Sequence, residues 1–372
     1  MKFRIKKNVL LEALNNVSKA LSNKNIIPIL SGIKFELFDD KLVLTASDND
    51  ITIQSIIEKS DDIDIVNTGS IVIKGKYILD IIRKLEDKFI NVELFDDYKI
   101  MIYTENSEFS LNGIDIKEYP QIDLSLSSDV ISLPVNELKN MIAQTNYATS
   151  MDEARVVLTG VNIKINDKLL ECSATDSYRL ALKKIILSDS FEKLVDIIIP
   201  SKNLGELFKI LPSDFDGNVN MYIYNSKIIF GFENIIFQSR LISGNYPNTK
   251  NLIPNDSLFD LRVNRSEFYN MVDRASILNN DKDNNIITLE INDNLLKITS
   301  MSLEIGKVEE KMSINCSDNI KISFSSKYMM EALSKVKGDE VILTFVGEVK
   351  PILLKEANDD SLISLILPIR TY

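Results

Sequence analysis

Apolar positions recur along this chain in two periods that alternate in a fixed order. Leu10, Ala13, Leu14 and Val17 fall at i, i+3, i+4 and i+7, the spacing of one helix face. The same spacing returns at Leu138, Met141, Ile142 and Thr145, and again at Phe268, Met271, Val272 and Ala275. A second helical stripe also occurs three times. It comprises Ile78, Ile81, Ile82 and Leu85, then Leu204, Leu207, Phe208 and Leu211, then Met329, Ala332, Leu333 and Val336. Between the two stripes of each copy the period drops to two. Runs at 32–37 and 42–46 flank Asp39-Asp40, runs at 160–165 and 169–174 flank Asn166-Asp167, and runs at 286–291 and 295–299 flank Asn292-Asp293. Alternating runs around a two-residue polar turn predict hairpins. Short strand-like pieces at 2–5, 130–133 and 259–263 precede the first helix of each copy, and 70–73, 196–199 and 320–324 precede the second.

Several elements repeating in one order at a near-constant interval identify an internal repeat. The first two copies close on Tyr119-Pro120 and Tyr246-Pro247. The pattern predicts an α+β protein of three repeated domains, each with helices on one face of antiparallel sheets. Their bounds are 1–126, 127–255 and 256–372, with linkers near 124–129 and 254–258. A chain of 372 residues accommodates three such units.

Composition narrows the chemistry. The chain has no His, which removes every histidine general base, every Ser-His-Asp or Cys-His triad and every zinc site with a His ligand. Two cysteines, Cys172 and Cys316, make neither a four-thiolate metal site nor a disulfide framework. Lys2, Arg4, Lys6 and Lys7 imitate a signal sequence, but Glu12 and Asn15-Asn16 interrupt the apolar stretch that would have to follow. No apolar window reaches membrane-spanning length, so the expectation is a soluble cytoplasmic protein with no membrane partner and no cofactor.

Charge adds a second pattern. The net charge is −11, which argues against a protein that coats nucleic acid indiscriminately. Yet the six helical windows 8–24, 74–88, 135–149, 201–211, 265–280 and 325–337 hold 15 Lys/Arg against 9 Asp/Glu. Lys76, Lys202 and Lys327 each stand two residues before an apolar stripe, about 160° around the helix from it. Arg83, Lys209, Lys84, Lys335 and Lys19 also fall away from the apolar faces. A positive helix face repeated three times in an acidic protein suits a polyanion. The acidic pairs Asp39-Asp40, Asp61-Asp62, Asp96-Asp97 and Asp359-Asp360 are the candidates for carboxylate catalysis. They fall in predicted turns and linkers, where Asp is favoured for backbone reasons, and so no catalytic residue is assigned. Lys74-Gly75-Lys76 lacks the other residues of a phosphate-binding loop.

Particular strings then point to a family. The chain opens Met1-Lys2-Phe3 and continues to Ile27-Pro28-Ile29-Leu30. Its second repeat carries Ala174-Thr175-Asp176-Ser177-Tyr178-Arg179-Leu180-Ala181 and Gly244-Asn245-Tyr246-Pro247. It ends Leu367-Pro368-Ile369-Arg370-Thr371-Tyr372. From end to end it resembles the bacterial sliding clamps, the beta subunits of DNA polymerase III. The resemblance implies a head-to-tail homodimer forming a ring of pseudo-sixfold symmetry. Helices would line the hole around double-stranded DNA, contacting phosphates without regard to sequence. It implies no enzyme activity, but a processivity factor in DNA replication that tethers the replicative polymerase, the clamp loader and repair proteins through short linear motifs.

The resemblance also assigns residues. A peptide pocket falls to Leu158, Thr175, Tyr178, Arg179, Leu180, Pro247, Leu252, Leu365, Leu367, Pro368, Ile369 and Arg370. Tyr178 stands where the family commonly has His, and Asn251 where some members have Arg, which puts selectivity for an acidic partner residue in question. Lys24 takes the place of a basic DNA-contacting residue, whereas the charge of Asp152 makes a DNA contact there doubtful. Phe109 and Leu111 fall to one side of the dimer seam, Ile277 and Leu278 to the other. Two alternatives stay open at this point: an open, monomeric DNA-binding or interaction scaffold, and a duplicate clamp with a specialised role.

Overall fold

The repeated apolar stripes are the buried faces of six helices in the computed structural model of the chain. It describes residues 1–21, 27–95, 98–213, 216–254, 256–278, 285–302 and 304–370. The first-stripe helices are α1 (Lys7–Val17), α3 (Val135–Thr145) and α5 (Arg265–Ser276), and all twelve predicted face residues are buried. The second-stripe helices are α2 (Gly75–Lys84), α4 (Ser201–Ile210) and α6 (Ser326–Leu333). Here two expectations fail. Ile81 is only half-buried, and Phe208 is 38% exposed. The buried side of α4 keeps Leu204 and Leu207 but takes in Asn203 and Ile210 in place of Phe208. Asn203 Nδ2 donates to Ser239 Oγ at 2.9 Å, so a polar residue occupies an interior position by finding its partner there. Local signals set the starts of the third-repeat helices. Asn264 accepts from the Glu267 N–H and Ser325 from the Tyr328 N–H, satisfying donors that the first turn leaves open.

The hairpins form as predicted in the first and third copies. Strands β2 (Gly32–Leu37) and β3 (Lys41–Ser47) pair with Leu37 opposite Leu42, and β17 (Ile286–Asn292) and β18 (Leu295–Ser302) pair with Asn292 opposite Leu295. The second copy differs. Gly160–Thr175 is extended throughout as β11, paired with the long strand β12 (Arg179–Pro200). The ladder breaks on both sides of Asp167, whose backbone is left-handed (φ 55). The predicted turn is thus marked by backbone conformation without interrupting the strand.

The remaining strands are β1 (Lys2–Lys6), β4 (Ile51–Glu58), β5 (Ile63–Asn67), β6 (Gly69–Lys74), β7 (Phe89–Phe95), β8 (Lys99–Tyr103) and β9 (Glu108–Asn112) in the first repeat. They are β10 (Ile131–Pro134), β13 (Asn218–Ile223), β14 (Lys227–Phe232) and β15 (Ile235–Arg240) in the second. In the third they are β16 (Phe259–Asn264), β19 (Gly306–Ser313), β20 (Ile320–Ser325), β21 (Glu340–Phe345), β22 (Ile352–Glu356) and β23 (Asp359–Ile366). Asp359-Asp360 therefore opens a strand and does not lie in a turn, and Asp96-Asp97 lies outside the described residues.

The sheets ignore the repeat boundaries. One eight-stranded sheet runs β10-β13-β14-β15-β4-β3-β2-β6, joining the second repeat to the first. One six-stranded sheet runs β11-β12-β23-β22-β21-β16, joining the second to the third. Both joints use one register. Strand β4 meets β15 from its first residue, Ile51 opposite Ser239, and β12 meets β23 from its first residue, Arg179 opposite Ile366. Two sheets are left with unjoined ends, β5-β1-β7-β8-β9 and β19-β18-β17-β20. The contacts accordingly divide the chain into two compact units: Met1–Asn136 with Lys202–Leu241, and Glu137–Ser201 with Ile242–Tyr372. The cut passes through the second repeat because its strands are shared between two sheets. No helix among the described residues is long and apolar enough to cross a membrane.

Candidate functional site

The second unit contains an apolar cleft of about 610 Å³, built where β11 ends and β12 begins. A tight turn makes its rim. Asp176 Oδ1 accepts from the Tyr178 N–H at 2.9 Å and the Arg179 N–H at 3.0 Å. Thr175 Oγ1 accepts from the Ser177 N–H at 3.1 Å, and Ser177 takes a left-handed backbone (φ 78). The Thr175 N–H donates to the Tyr246 hydroxyl at 3.0 Å. Tyr246 is buried with Leu158 and Ile198, and burial raises its phenol pKa, so it stays protonated. Gly244 makes the approach possible. Its φ is 131, and a Cβ there would lie 2.8 Å from Val157 Cγ1. The floor is Leu180 and Leu365, which pack in one cluster with Leu353, Ile253 and Ile363.

Eight of the predicted pocket residues line this cleft: Leu158, Thr175, Arg179, Leu180, Pro247, Leu252, Leu365 and Leu367. Pro368, Ile369 and Arg370 line a neighbouring cleft of about 570 Å³ with Lys321, Ser323, Glu348 and Val349, and Leu367 is a wall of both. Tyr178 lines neither. Its side chain is exposed and its carbonyl accepts from the Leu367 N–H at 2.9 Å, so it anchors the segment after β23 through its backbone. Asn251, which stands where some members of the resembled family have Arg, also lines the cleft, and sequence reasoning missed Arg155, Val157, Ser177 and Pro351, which complete the lining. Pro351 reaches it from the β21–β22 connection, a proximity that no local spacing encodes.

Arg179 is the most constrained polar group of the cleft. Its side chain is 10% exposed, its Nε donates to Asp176 Oδ2 at 3.0 Å, its Nη2 to the Tyr147 carbonyl at 2.8 Å, and its Nη1 to Glu331 Oε2. Burial alone would lower its pKa; the hydrogen bond and charge of Glu331, together with the charges of Asp176 and Tyr147, outweigh burial and raise it. Its guanidinium carbon lies 4.4 Å from the Tyr328 ring centre and 5.3 Å from that of Tyr147. The Tyr147 hydroxyl meets Ser364 Oγ at 3.0 Å, and burial pushes its pKa up to about 12. Cys172, also buried, has its thiol pKa raised by burial, which disfavours the reactive thiolate.

The first unit repeats this frame without the apolar floor. Asp48 Oδ1 accepts from the Asp50 N–H at 3.0 Å and the Ile51 N–H at 2.9 Å, as Asp176 does in the second unit. But Thr52 stands opposite Gln238 where Leu180 stands opposite Leu365, and the Thr52 hydroxyl is occupied with Ser47 Oγ at 2.9 Å. Tyr119, the counterpart of Tyr246, is covered by Ile114 and Ile122. One turn geometry thus supports two different surfaces, and only the second has an apolar base.

The predicted basic residues lie opposite the buried faces. Lys19, Lys76, Arg83, Lys84, Lys202, Lys209 and Lys327 are exposed, and Lys335 is half-buried with its Nζ 5.6 Å from the Tyr147 ring centre. Some are paired: Arg83 with Asp80 at 3.9 Å, Lys209 with Glu206 at 2.8 Å and Lys202 with Asp48 at 3.8 Å. Lys24 lies outside the described residues. Asp152 accepts from the Ala154 N–H at 2.9 Å, an exposed cap of a short turn. Phe109 and Leu111 are on β9, with Phe109 38% exposed beside a cleft of about 400 Å³. Ile277 follows α5 and is 72% exposed, and Leu278 is half-buried.

Comparison with known proteins agrees along the whole chain. Family models described as the N-terminal, central and C-terminal domains of the DNA polymerase III beta subunit match residues 1–123, 132–248 and 250–370. The beta sliding clamp of Staphylococcus epidermidis is 43% identical over the full length of both chains. The crystal structure of the DNA polymerase sliding clamp of Bacillus subtilis matches with a TM-score of 0.96 at 40% identity, covering both chains completely. The beta subunit of the DNA polymerase of Streptococcus pyogenes matches with a TM-score of 0.95 at 32% identity, again over both full chains.

Proposed function

The chain belongs to the DNA polymerase III beta subunit family, and from that premise we propose that two copies join head to tail into a ring that encircles duplex DNA. The protein is a sliding clamp, a non-catalytic processivity factor of DNA replication. In this reading the repeats 1–126, 127–255 and 256–372 are its domains, and it works in the cytoplasm. The replicative polymerase, the clamp loader and repair proteins dock on it by short peptide motifs.

The unjoined sheet ends carry this proposal. Strand β15 of the second repeat joins β4 of the first, and β23 of the third joins β12 of the second. One more such joint would unite β9 of the first repeat with β19 of the third, and both are edge strands of their sheets. Added in the same register, the order becomes β5-β1-β7-β8-β9-β19-β18-β17-β20, in the pattern of the eight-stranded sheet. Leu111 of one copy then faces Gly306 of the next, and Phe109 faces Val308. Exposed edge strands are templates for pairing, and one heterologous joint made twice closes a two-chain ring. Ile277 and Leu278 stand on the third repeat, Ile277 largely exposed, and beside Phe109 on the first repeat lies a cleft of mixed lining, Leu85 with Lys84, Glu86, Asp87, Asn106 and Ser107.

The basic helix faces supply a phosphate-binding surface that is blind to sequence, and topological closure lets each contact be weak. The apolar cleft suits a short peptide: it has a hydrophobic floor and few polar groups at its rim. Sedimentation across a dilution series tests the ring. A species of twice 42.2 kDa that persists on dilution is expected. A monomer at every concentration, binding linear and circular DNA alike, would support an open scaffold and overturn the ring.

A further inference from the structure

We propose that Glu331, on α6, is a positioning residue that sets the charge preference of the peptide cleft by neutralising Arg179, leaving Arg155 as the cation that reads a ligand carboxylate. The inference rests on the cleft being a peptide site.

Two arginines line the cleft, and they differ in environment. Arg179 is held between two carboxylates, Asp176 Oδ2 on its Nε and Glu331 Oε2 on its Nη1, so the three groups together carry one net negative charge. Its third donor is taken by the Tyr147 carbonyl at 2.8 Å. A guanidinium has five N–H donors, so two remain, enough to hydrogen-bond a peptide carbonyl but without unbalanced positive charge behind them. Arg155 is exposed, and its Nη1 donates to a neutral partner, Ser177 Oγ, at 3.0 Å. Its charge is therefore available to an incoming carboxylate, which can displace the serine hydroxyl and form the stronger charge-assisted bond.

Glu331 lies 152 residues from Arg179 in sequence and is absent from the cleft lining. It acts only through Arg179. Removing its charge with the isosteric amide, Glu331→Gln, leaves Arg179 paired with Asp176 alone and shifts the local charge by one unit. A side chain needed merely for packing would affect acidic and neutral ligands equally. A charge-setting side chain separates them.

The test uses two acetylated pentapeptides of Leu and Phe around one central residue, Asp in the first and Asn in the second, titrated into the full-length protein by calorimetry. In the unaltered protein the Asp peptide is expected to bind more tightly, and Arg155→Gln to abolish that preference. In Glu331→Gln the Asp peptide is expected to gain about 5- to 10-fold relative to the Asn peptide. Equal loss for both peptides, or an unchanged ratio, overturns the role of Glu331 while leaving the cleft as a peptide site. If neither peptide binds the unaltered protein, the cleft reading fails and this inference with it. Circular dichroism of each variant separates misfolding from altered selectivity, and an unfolded Glu331→Gln would make Glu331 a structural residue and overturn the proposal.

Discussion

The Thr175 backbone N–H donates to the Tyr246 hydroxyl at 3.0 Å, binding the end of β11 to a side chain 71 residues further on. This bond fixes the rim of the cleft. Tyr246→Phe keeps the ring among Leu158 and Ile198 but leaves the buried N–H without its acceptor. The expected loss is about 1–3 kcal/mol of stability, read as a lower midpoint in urea. Peptide affinity should fall several-fold as the turn loosens. Unchanged stability and affinity would mean that the turn holds itself.

The proposed ring predicts a seam that can be broken from either side. Phe109→Asp places a carboxylate on the exposed face of β9, and Ile277→Asp places one after α5. Both sites are already partly solvated in the single chain, so each fold should survive with a small change in melting temperature. Burying the new charge against a second copy would cost several kcal/mol, enough to split a dimer at micromolar concentration. Sedimentation checks this: each variant should run as a monomer at concentrations where the unaltered protein is expected to run as a dimer.

Binding to DNA should depend on the helix faces in proportion to their charge. Replacing Lys76, Lys202 and Lys327 with Ala removes one exposed cation from each repeat without touching a buried face. If each neutralises a phosphate, the slope of log K against log salt should become shallower by about 0.9 per lysine. The loss should be alike for DNA of different sequences. Retention of the full slope would move the contact surface elsewhere.

Tyr147 predicts an alkaline limit. Burial holds its folded pKa at about 12, above the value of roughly 10 in an unfolded chain. Between those two values the unfolded state loses the proton first. The associated stability is therefore complete below pH 10 and declines as the pH rises to about 12. Its full size is about 2–3 kcal/mol. Tyr147→Phe should flatten this part of the pH–stability curve, while lowering stability at neutral pH by about 1 kcal/mol through the lost bond to Ser364.

Most of the helix faces and the hairpins of the first and third repeats were legible from residues close together in sequence, whereas the cleft residues were assigned by resemblance to a family and not by any local period. A helix shows its period within four residues and a strand within two, so Leu10 to Val17 or Met329 to Val336 need no tertiary information to be read. The failures came where distant parts meet. Phe208 fits the helical spacing but is exposed, because the packing of α4 gives the interior position to Asn203, whose partner Ser239 lies on strand β15.

By itself, then, the sequence determined the number of repeats, most of the elements in each and the buried face of most of the helices, since these follow from short-range periodicity. Only the tertiary structure decided that sheets run across repeat boundaries, β4 onto β15 and β12 onto β23. It alone distinguished the apolar pairing of Leu180 with Leu365 from the polar pairing of Thr52 with Gln238, and it alone set Glu331 against Arg179. Each of these depends on strands or side chains brought together from far apart in the chain. Such contacts are selected by burial and hydrogen bonding in the folded state, and they leave no period in the sequence.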